Sequence, residues 1–584
     1  MSDIHVPAAY GVPANHAVPT SRDVLSTHEV VNQVPPLVGY DAFTTDTALV
    51  EAVHRHGAGW AVDELSALGR LAGSARAREW GEAANLYPPE LHTHDRYGYR
   101  VDEVRFHPAY HELMTVAVRS GIAGGPWRNP IPGAHVARAA AMMIWSQVDA
   151  GHTCPISMTY AAVPALRVDP DLAARWEPLL TAPHYDPGLR PSAAKAGVLA
   201  GMAMTEKQGG SDVRANLTRA VRRSGDDGTY AITGHKWFCS APMNDVFCVL
   251  AQAPGGLSCF VVPRVLPDGT RNVFRLQRLK DKLGNRSNAS SEVEFAGTTG
   301  WLLGEEGRGV ATIVEMVALT RLDCVLGTAA LMRFGVAQAL HHAAHRRAFG
   351  RYVLDAPLAR NVLADLAVEA EAALVLGIRL AATLDSRPAR PAGGASTGSA
   401  STGGAAPADS ERAIRRFGTA VAKFHVCKRG PSHLAEALEC LGGNGYVEES
   451  GMPRAYREAP LNSIWEGTGN INALDVLRAM GREPGCVEAF DDEIDAVAGS
   501  DRRLDEAARS LRRELAAVDE YGARRLVERM ALVLQAALLV RYSTPAVADA
   551  FCASRLEGGG GYAFGTLPAG LDLTAILERH RPKL

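Results

Sequence analysis

Glu466 is the carboxylate with the richest chemical context in this chain. It lies in Ala-Pro-Leu-Asn-Ser-Ile-Trp-Glu-Gly-Thr-Gly-Asn, residues 459–470, between Trp465 and the small run Gly467, Thr468 and Gly469. An indole beside a carboxylate removes hydration and raises its pKa toward the range of a general base. The glycines open backbone angles closed to other residues and let a flat or phosphorylated ligand approach the main chain. The same residues also suit a solvated helix–turn–helix corner. A second segment, Gly-Met-Ala-Met-Thr-Glu-Lys-Gln-Gly-Gly-Ser-Asp at 201–212, runs from small apolar residues into a polar loop. Hydroxyls at Thr205 and Ser211, with backbone N–H groups beside Gly209 and Gly210, suit a cofactor's ring edge and its pyrophosphate oxygens. Tyr230 to Ser240 follows as a strand with the aromatic pair Trp237-Phe238 at its end.

Other residue sets are weaker. His341, His342 and His345 share a helix face at metal-ligand spacing, but no carboxylate or Cys follows at a suitable interval. They read as a solvated or interface cluster, and His92-Thr-His94 reads as a loop pair; no metal is expected. There is no Gly-Lys dipeptide and no Gly-x-Gly-x-x-Gly opening a βαβ unit, which excludes the common phosphate loops. Nine scattered cysteines without a Cys-x-x-Cys pair argue against a disulfide framework and for a reducing compartment. The net charge of −3 makes any nucleic-acid contact a local patch. Between Ser500 and Tyr542 nine Arg stand against seven acids, with no Lys. At helical spacing Arg502, Arg509 and Arg513 share one face while Leu504, Ala508, Leu511 and Leu515 line another.

The elements that must position these residues follow from texture. With 584 residues and 47% apolar content the chain supports several cores, and its length suggests about four domains. Residues 1–45 are Pro-rich and read as an arm wrapping the surface or a neighbouring subunit. Helical periodicity marks 46–198. Short β-rich runs mark 199–304, at 229–237, 246–251, 258–262, 273–276 and 291–295, a pattern for a small barrel or sandwich. Long helical patterns return over 305–482, broken by a Pro/Gly/Ala/Ser/Thr-rich insertion at 386–410 that reads as a disordered loop. Residues 483–584 form a further helical module with a poorly ordered tail at its Gly run. The apolar run 530–540 is too short for a membrane span, and no basic segment followed by an apolar core opens the sequence. The expectation is a cytoplasmic protein.

In their order these motifs resemble the acyl-CoA dehydrogenase flavoprotein family. The Thr-Glu-x-x-x-Gly-Ser-Asp-type loop is 205–212, the Lys-x-Trp-like strand is 235–240, Arg-x-x-Phe-Gly is 346–350, Gly-Gly-x-Gly-Tyr is 442–446 and aromatic-Glu-Gly-Thr is 465–468. Lys207-Gln-Gly-Gly, the segments at 279–288, 427–430, 462–466, 31–36 and 104–108, and the helical C-terminal extension look like the AidB alkylation-response branch.

The resemblance implies a mainly α fold with a central β domain: a helical domain, a β-barrel, a helical bundle and an extra C-terminal helical domain. It implies FAD, with Glu466 as the base on one face of an acyl substrate. Thr205 and Ser240 would bond the isoalloxazine edge, Ser211 would lie near the pyrophosphate, and Trp237, Phe238 and Trp465 would pack on the ring. Thr468 and Asn470 would reach the phosphates or adenosine, and Met204, Gln208, Cys239, Ile464, Gly467 and Gly469 complete the cofactor set. Arg346, Phe349, Gly442 and Gly443 would serve the FAD of a neighbouring subunit, implying a homo-oligomer, a tetramer by family habit. Two departures stand out. The family's helix Arg, which contacts the CoA portion, matches Arg321, but its Asp three residues earlier is Ala318, and the alternative base position is Thr320. Glu466 is therefore the sole base candidate, and ordinary acyl-CoA turnover is expected to be weak. Arg478, Arg502, Arg509 and Arg513 are the candidates for double-stranded DNA contact, in a protein that the resemblance implies protects DNA from alkylation, with flavin-dependent inactivation of alkylating agents near the duplex as the expected route. The rivals are a metabolic short- or branched-chain acyl-CoA dehydrogenase and a flavin-bound DNA protein without turnover.

Overall fold

The computed structural model describes residues 27–225, 228–385, 407–483 and 485–583. The N-terminal helical part contains α1 (Thr47–Arg55), α2 (Val62–Ala72), α3 (Ala75–Leu86), α4 (Pro108–Arg119), α5 (Gly125–Arg128), α6 (Ala134–Ser146), α7 (Thr153–Leu166) and α8 (Pro170–Leu180). Between α3 and α4 lies an antiparallel pair, β1 (Glu90–His94) and β2 (Arg100–Arg105). His92 and His94 thus sit on an edge strand, not in a loop. α6 is buried on every side, as its Ala- and Met-rich sequence requires. Its buried Arg138 is paired with Asp323, which satisfies both charges away from water.

The middle part is a closed barrel. Its strands are β3 (Ala200–Ala203), β4 (Arg219–Arg222), β5 (Thr229–Ser240), β6 (Val246–Ala253), β7 (Gly256–Pro263), β8 (Phe274–Leu279) and β9 (Ser290–Leu303). The pairing runs β6–β4–β5–β9–β7 and back to β6, with β3 parallel to β6 and β8 antiparallel to β9. The five expected runs fall within β5, β6, β7, β8 and β9 apart from Val273, β9 being much longer than expected, and β3 and β4 are strands the sequence reading missed. A bulge between Lys236 and Cys239 re-aims the end of β5.

The helical bundle comprises α9 (Gly309–His345), α10 (Pro357–Ala382), α11 (Pro407–Glu439), α12 (Met452–Glu458) and α13 (Gly469–Arg482). A two-residue hairpin of β10 (Arg347–Ala348) and β11 (Arg351–Tyr352) separates α9 from α10. The expected disordered insertion lies outside the described residues over 386–406, and its final residues open α11 instead. The C-terminal part contains α14 (Gly485–Asp495), α15 (Arg502–Leu515), α16 (Ala523–Tyr542), α17 (Pro545–Phe551) and α18 (Leu573–His580). The expectation of a poorly ordered tail is corrected here. Gly558–Gly561 is irregular but bonded, with Gly559 and Gly560 N–H donating to Ala553 and Ser554 carbonyls, and α18 buries Ile576 and Leu577.

One apolar core joins the helical parts, and a second, smaller one fills the barrel. Among the described residues no helix is long and apolar enough to cross a membrane. The expected N-terminal arm is irregular from residue 27 and clamps α9 and its hairpin. Asn32 donates to the Arg347 carbonyl and accepts from its N–H, each at 2.9 Å, and the Pro35 carbonyl lies 2.8 Å from His341 Nε2.

Candidate functional site

Glu466 stands on the turn between a short 3₁₀ stretch (Leu461–Ser463) and α13. Its φ is +58° and that of Gly467 is +100°, so two successive residues occupy the left-handed region. For a glutamate this is a strained conformation, costing on the order of 1–3 kcal/mol, which surrounding contacts must hold. Those contacts are visible. Arg321 Nε from α9 donates to the Glu466 carbonyl at 2.8 Å, and Lys423 Nζ from α11 donates to the carbonyls of Trp465 (2.8 Å) and Gly467 (2.5 Å). Asn472 Nδ2 also holds the Gly467 carbonyl at 2.7 Å.

The Glu466 residue is half-buried, yet its Oε2 is closed to solvent and has no partner among the described residues. Burial pushes this carboxyl above the ordinary carboxylate range, and the Thr320 hydroxyl, Arg321 and Lys423 pull it back in part. Trp465 turns its Nε1 away to Asn462 Oδ1 at 3.0 Å.

Arg321 does not stand free for a substrate. Its Nη1 pairs with Asp475 at 2.7 Å, and Asp475 is also held by Arg416. Asp475, on α13, takes Nη1 of the guanidinium in a chain where position 318 offers no acid.

The loop 205–212 is built on Glu206. This carboxylate and Lys236 are both fully buried and lie 2.8 Å apart. Glu206 also accepts from Gln208 Nε2 and from the N–H groups of Leu217 and Thr218. Gln208 is thereby part of the loop's scaffold. Trp237 N donates to the Thr205 carbonyl at 2.8 Å, which sets the loop beside the end of β5. Lys280 Nζ sits 3.3 Å above the Trp237 ring, and Phe238 is nearly half exposed. Cys239 needs correction: its side chain is buried in the barrel core, so only its backbone can face a ligand.

The remaining expected residues fall into two groups. Met204, Thr205, Ser211, Ser240, Ile464, Gly467, Thr468 and Gly469 lie on the barrel's end and the Glu466 turn. Asn470 Oδ1 accepts from Arg524 Nη1 of α16 at 3.2 Å, a contact the sequence did not suggest. Arg346, Phe349, Gly442 and Gly443 lie apart. Phe349 is fully exposed with φ +50°, and Arg346 is anchored to the Asn32 carbonyl.

The donor set fits a flavin nucleotide. The hydroxyls of Thr205, Ser211 and Thr468 have no hydrogen-bond partner among the described residues, and Gly210 has no room for a Cβ against the Thr205 side chain. Accessible hydroxyls beside glycine-rich backbone suit a polyhydroxylated, phosphorylated group.

Three family models match in sequence order. They are the adaptive response protein AidB N-terminal domain over residues 32–187, the acyl-CoA dehydrogenase middle domain over 201–298 and the acyl-CoA dehydrogenase C-terminal domain over 307–481. The chain is 46% identical over 538 residues to the putative acyl-CoA dehydrogenase AidB of Escherichia coli (strain K12), covering 92% of this chain and 95% of that protein. The chain belongs to the acyl-CoA dehydrogenase family. Within that family it lies with AidB, as its motifs indicated. The acyl-CoA dehydrogenase family member 11 of Caenorhabditis elegans is 29% identical over 439 residues, 73% of this chain and 68% of that one. The crystal structure of C. elegans ACDH-11 in complex with C11-CoA shares the fold, with a TM-score of 0.81 at 24% identity over 92% and 95% of the two chains. The Bd2924 apo-form superposes with a TM-score of 0.77 at 26% identity, over 88% of this chain and all of that one. As a member of the acyl-CoA dehydrogenase family the chain is an FAD-dependent oxidoreductase.

Proposed function

We propose that this chain is an AidB-like flavoprotein in which Glu466 is the base and the C-terminal arginines contact double-stranded DNA, protecting it from alkylation. The observation that carries the catalytic half is the Glu466 carboxyl: Oε2 is buried, unpartnered and of raised pKa. A desolvated carboxylate beside the crevice takes the α proton of an acyl thioester, and its enclosure keeps water from that proton. FAD, when bound, supplies the hydride acceptor that no side chain offers. Thr205, Ser211, Ser240 and Thr468 hold its polar edges, Trp237, Phe238 and Trp465 flank the ring, and Asn470 reaches its nucleotide end. Arg346, Phe349, Gly442 and Gly443 serve the cofactor of a second subunit in a tetramer.

Replacing Glu466 by Gln tests the base. Flavin content stays stoichiometric, while flavin bleaching by short branched acyl-CoAs under anaerobic conditions falls roughly 10²–10⁴-fold. Undiminished bleaching moves the base elsewhere.

The DNA half rests on likeness to AidB and on the exposed arginines of α15 and α13. Arg509 and Arg513 are exposed and, among the described residues, without a carboxylate partner, as is Arg478. Arg502 is tied to Glu506 at 2.8 Å. Arg509→Ala with Arg513→Ala is expected to weaken duplex binding for all sequences and to flatten its salt dependence by about one slope unit per arginine. Equal binding by the double variant sinks this assignment. A second reading, a metabolic dehydrogenase whose C-terminal part is structural, is favoured by Arg503, Arg512, Arg529 and Arg541, each committed to an acid of its own chain.

A further inference from the structure

We propose that Lys423 is a positioning residue for the catalytic base, clamping the backbone on either side of Glu466; this rests on Glu466 being the base. Lys423 sits on α11 and is 1% exposed. A buried ammonium normally answers a carboxylate, since an isolated charge is costly away from water. Among the described residues no carboxylate lies within ion-pair distance of Lys423. Its hydrogen bonds go to two backbone carbonyls, those of Trp465 and Gly467.

These are the residues flanking Glu466, and the carbonyl between them is taken by Arg321. Three consecutive carbonyls are therefore gathered by two cations from two different helices. Chain geometry explains the need. An extended run points successive carbonyls to opposite sides; with Glu466 and Gly467 left-handed, the three carbonyls here all reach the two cations. Glu466 reaches that conformation against steric preference, so the clamp and the strain require each other. The two cations are not equivalent. Arg321 is also bound to Asp475, whereas the Lys423 ammonium makes no other hydrogen bond among the described residues. Asn472 backs up the Gly467 carbonyl, so the contact unique to Lys423 is the one to Trp465. Losing it frees the peptide that enters Glu466 and lets the carboxyl drift. A misplacement of about 1 Å costs on the order of 10²-fold in rate.

The test uses the full-length holoprotein with Lys423→Met and Lys423→Gln, the latter keeping one donor for one carbonyl. Hydrogen exchange of the amides at 464–468 is expected to quicken at least tenfold in Lys423→Met, about 1.4 kcal/mol of local stability, with the barrel unchanged and Lys423→Gln intermediate. Release of the α proton of isovaleryl-CoA into D2O is expected to slow about 10²-fold, with its dissociation constant within about twofold. In the Glu466→Gln background Lys423→Met should add no further loss. Unaltered exchange at 464–468 overturns the clamp, and a loosened turn with undiminished proton release overturns the positioning role. An additive loss in the double variant overturns it too, because Lys423 then acts apart from Glu466. If Glu466→Gln leaves proton release intact, or the wild-type chain is inert toward isovaleryl-CoA, the base assignment fails instead, and amide exchange still decides the clamp.

Discussion

At the scale of single residues, burial raises the pKa of two glutamates, of which the sequence marks only one. Glu458 ends α12 and is 5% exposed, with Oε1 accepting the Asn285 N–H at 2.7 Å. Burial, with Asp149 nearby, raises its carboxyl to about 7. A carboxyl whose folded pKa exceeds its unfolded one stabilises the fold at low pH, and that contribution is lost as pH rises through about 7. Glu458→Gln keeps the acceptor and removes the charge, so urea denaturation at pH 8–9 should show a gain of roughly 1–3 kcal/mol, and under about 1 kcal/mol at pH 5. A gain of equal size at both values would assign the effect to packing. Nothing in Ala-Tyr-Arg-Glu-Ala-Pro marked Glu458, since burial comes from segments far along the chain. Glu466 was legible because its neighbours Trp465, Gly467 and Gly469 are themselves chemical signals. Its two clamping cations were not, for they lie 42 to 145 positions away. Cys239 misled because adjacent strand residues face opposite ways and a bulge shifts the count.

Among elements, the hairpin of β10 and β11 shows how a short piece of arm can hold an exposed turn. Two strands of two residues each are too short to hold themselves. Asn32 supplies what they lack, in a left-handed conformation (φ +58°) that asparagine tolerates well. Asn32→Ala removes two hydrogen bonds worth about 1 kcal/mol each. Amides 346–352 should then exchange roughly tenfold faster or more by the same reckoning, with the bundle unaffected; unchanged protection would show that the hairpin needs no arm. The barrel strands were legible from β-branched and aromatic runs between turn residues. β1 and β2 were not, because Glu-Leu-His-Thr-His and Arg-Val-Asp-Glu-Val-Arg carry little apolar alternation and take their order from β8 beside them. The tail hid its helix behind four glycines, although Asp572, which caps α18, is a start signal in hindsight.

For the molecule as a whole, the C-terminal part is not an appendage. α10 carries Asp365, Glu369 and Glu371, each at most 2% exposed. Arg555 answers the first two, and Arg579 with His580 answers the third. Arg379 of the same helix reaches Glu493 on α14. Deleting residues 543–584 would strand Asp365 and Glu371 in an apolar interior and leave Glu369 to Arg429, and breaking a buried pair costs about 3–5 kcal/mol. Thermal denaturation of the shortened chain should show a collapse of the whole bundle; an unchanged midpoint would mean that the pairs contribute little. Texture alone divided the chain near residue 483, because helical periodicity reports faces and not which faces meet. The DNA proposal must accordingly be tested on point variants of the entire chain.

The acids of α10 find their guanidinium partners 186 to 208 residues downstream. During synthesis, the bundle must therefore wait with a negatively charged seam, unable to dry out until a distant stretch leaves the ribosome. Residues 555–580 thus set when the bundle that carries the clamp can close, and delaying their emergence is expected to delay that closure.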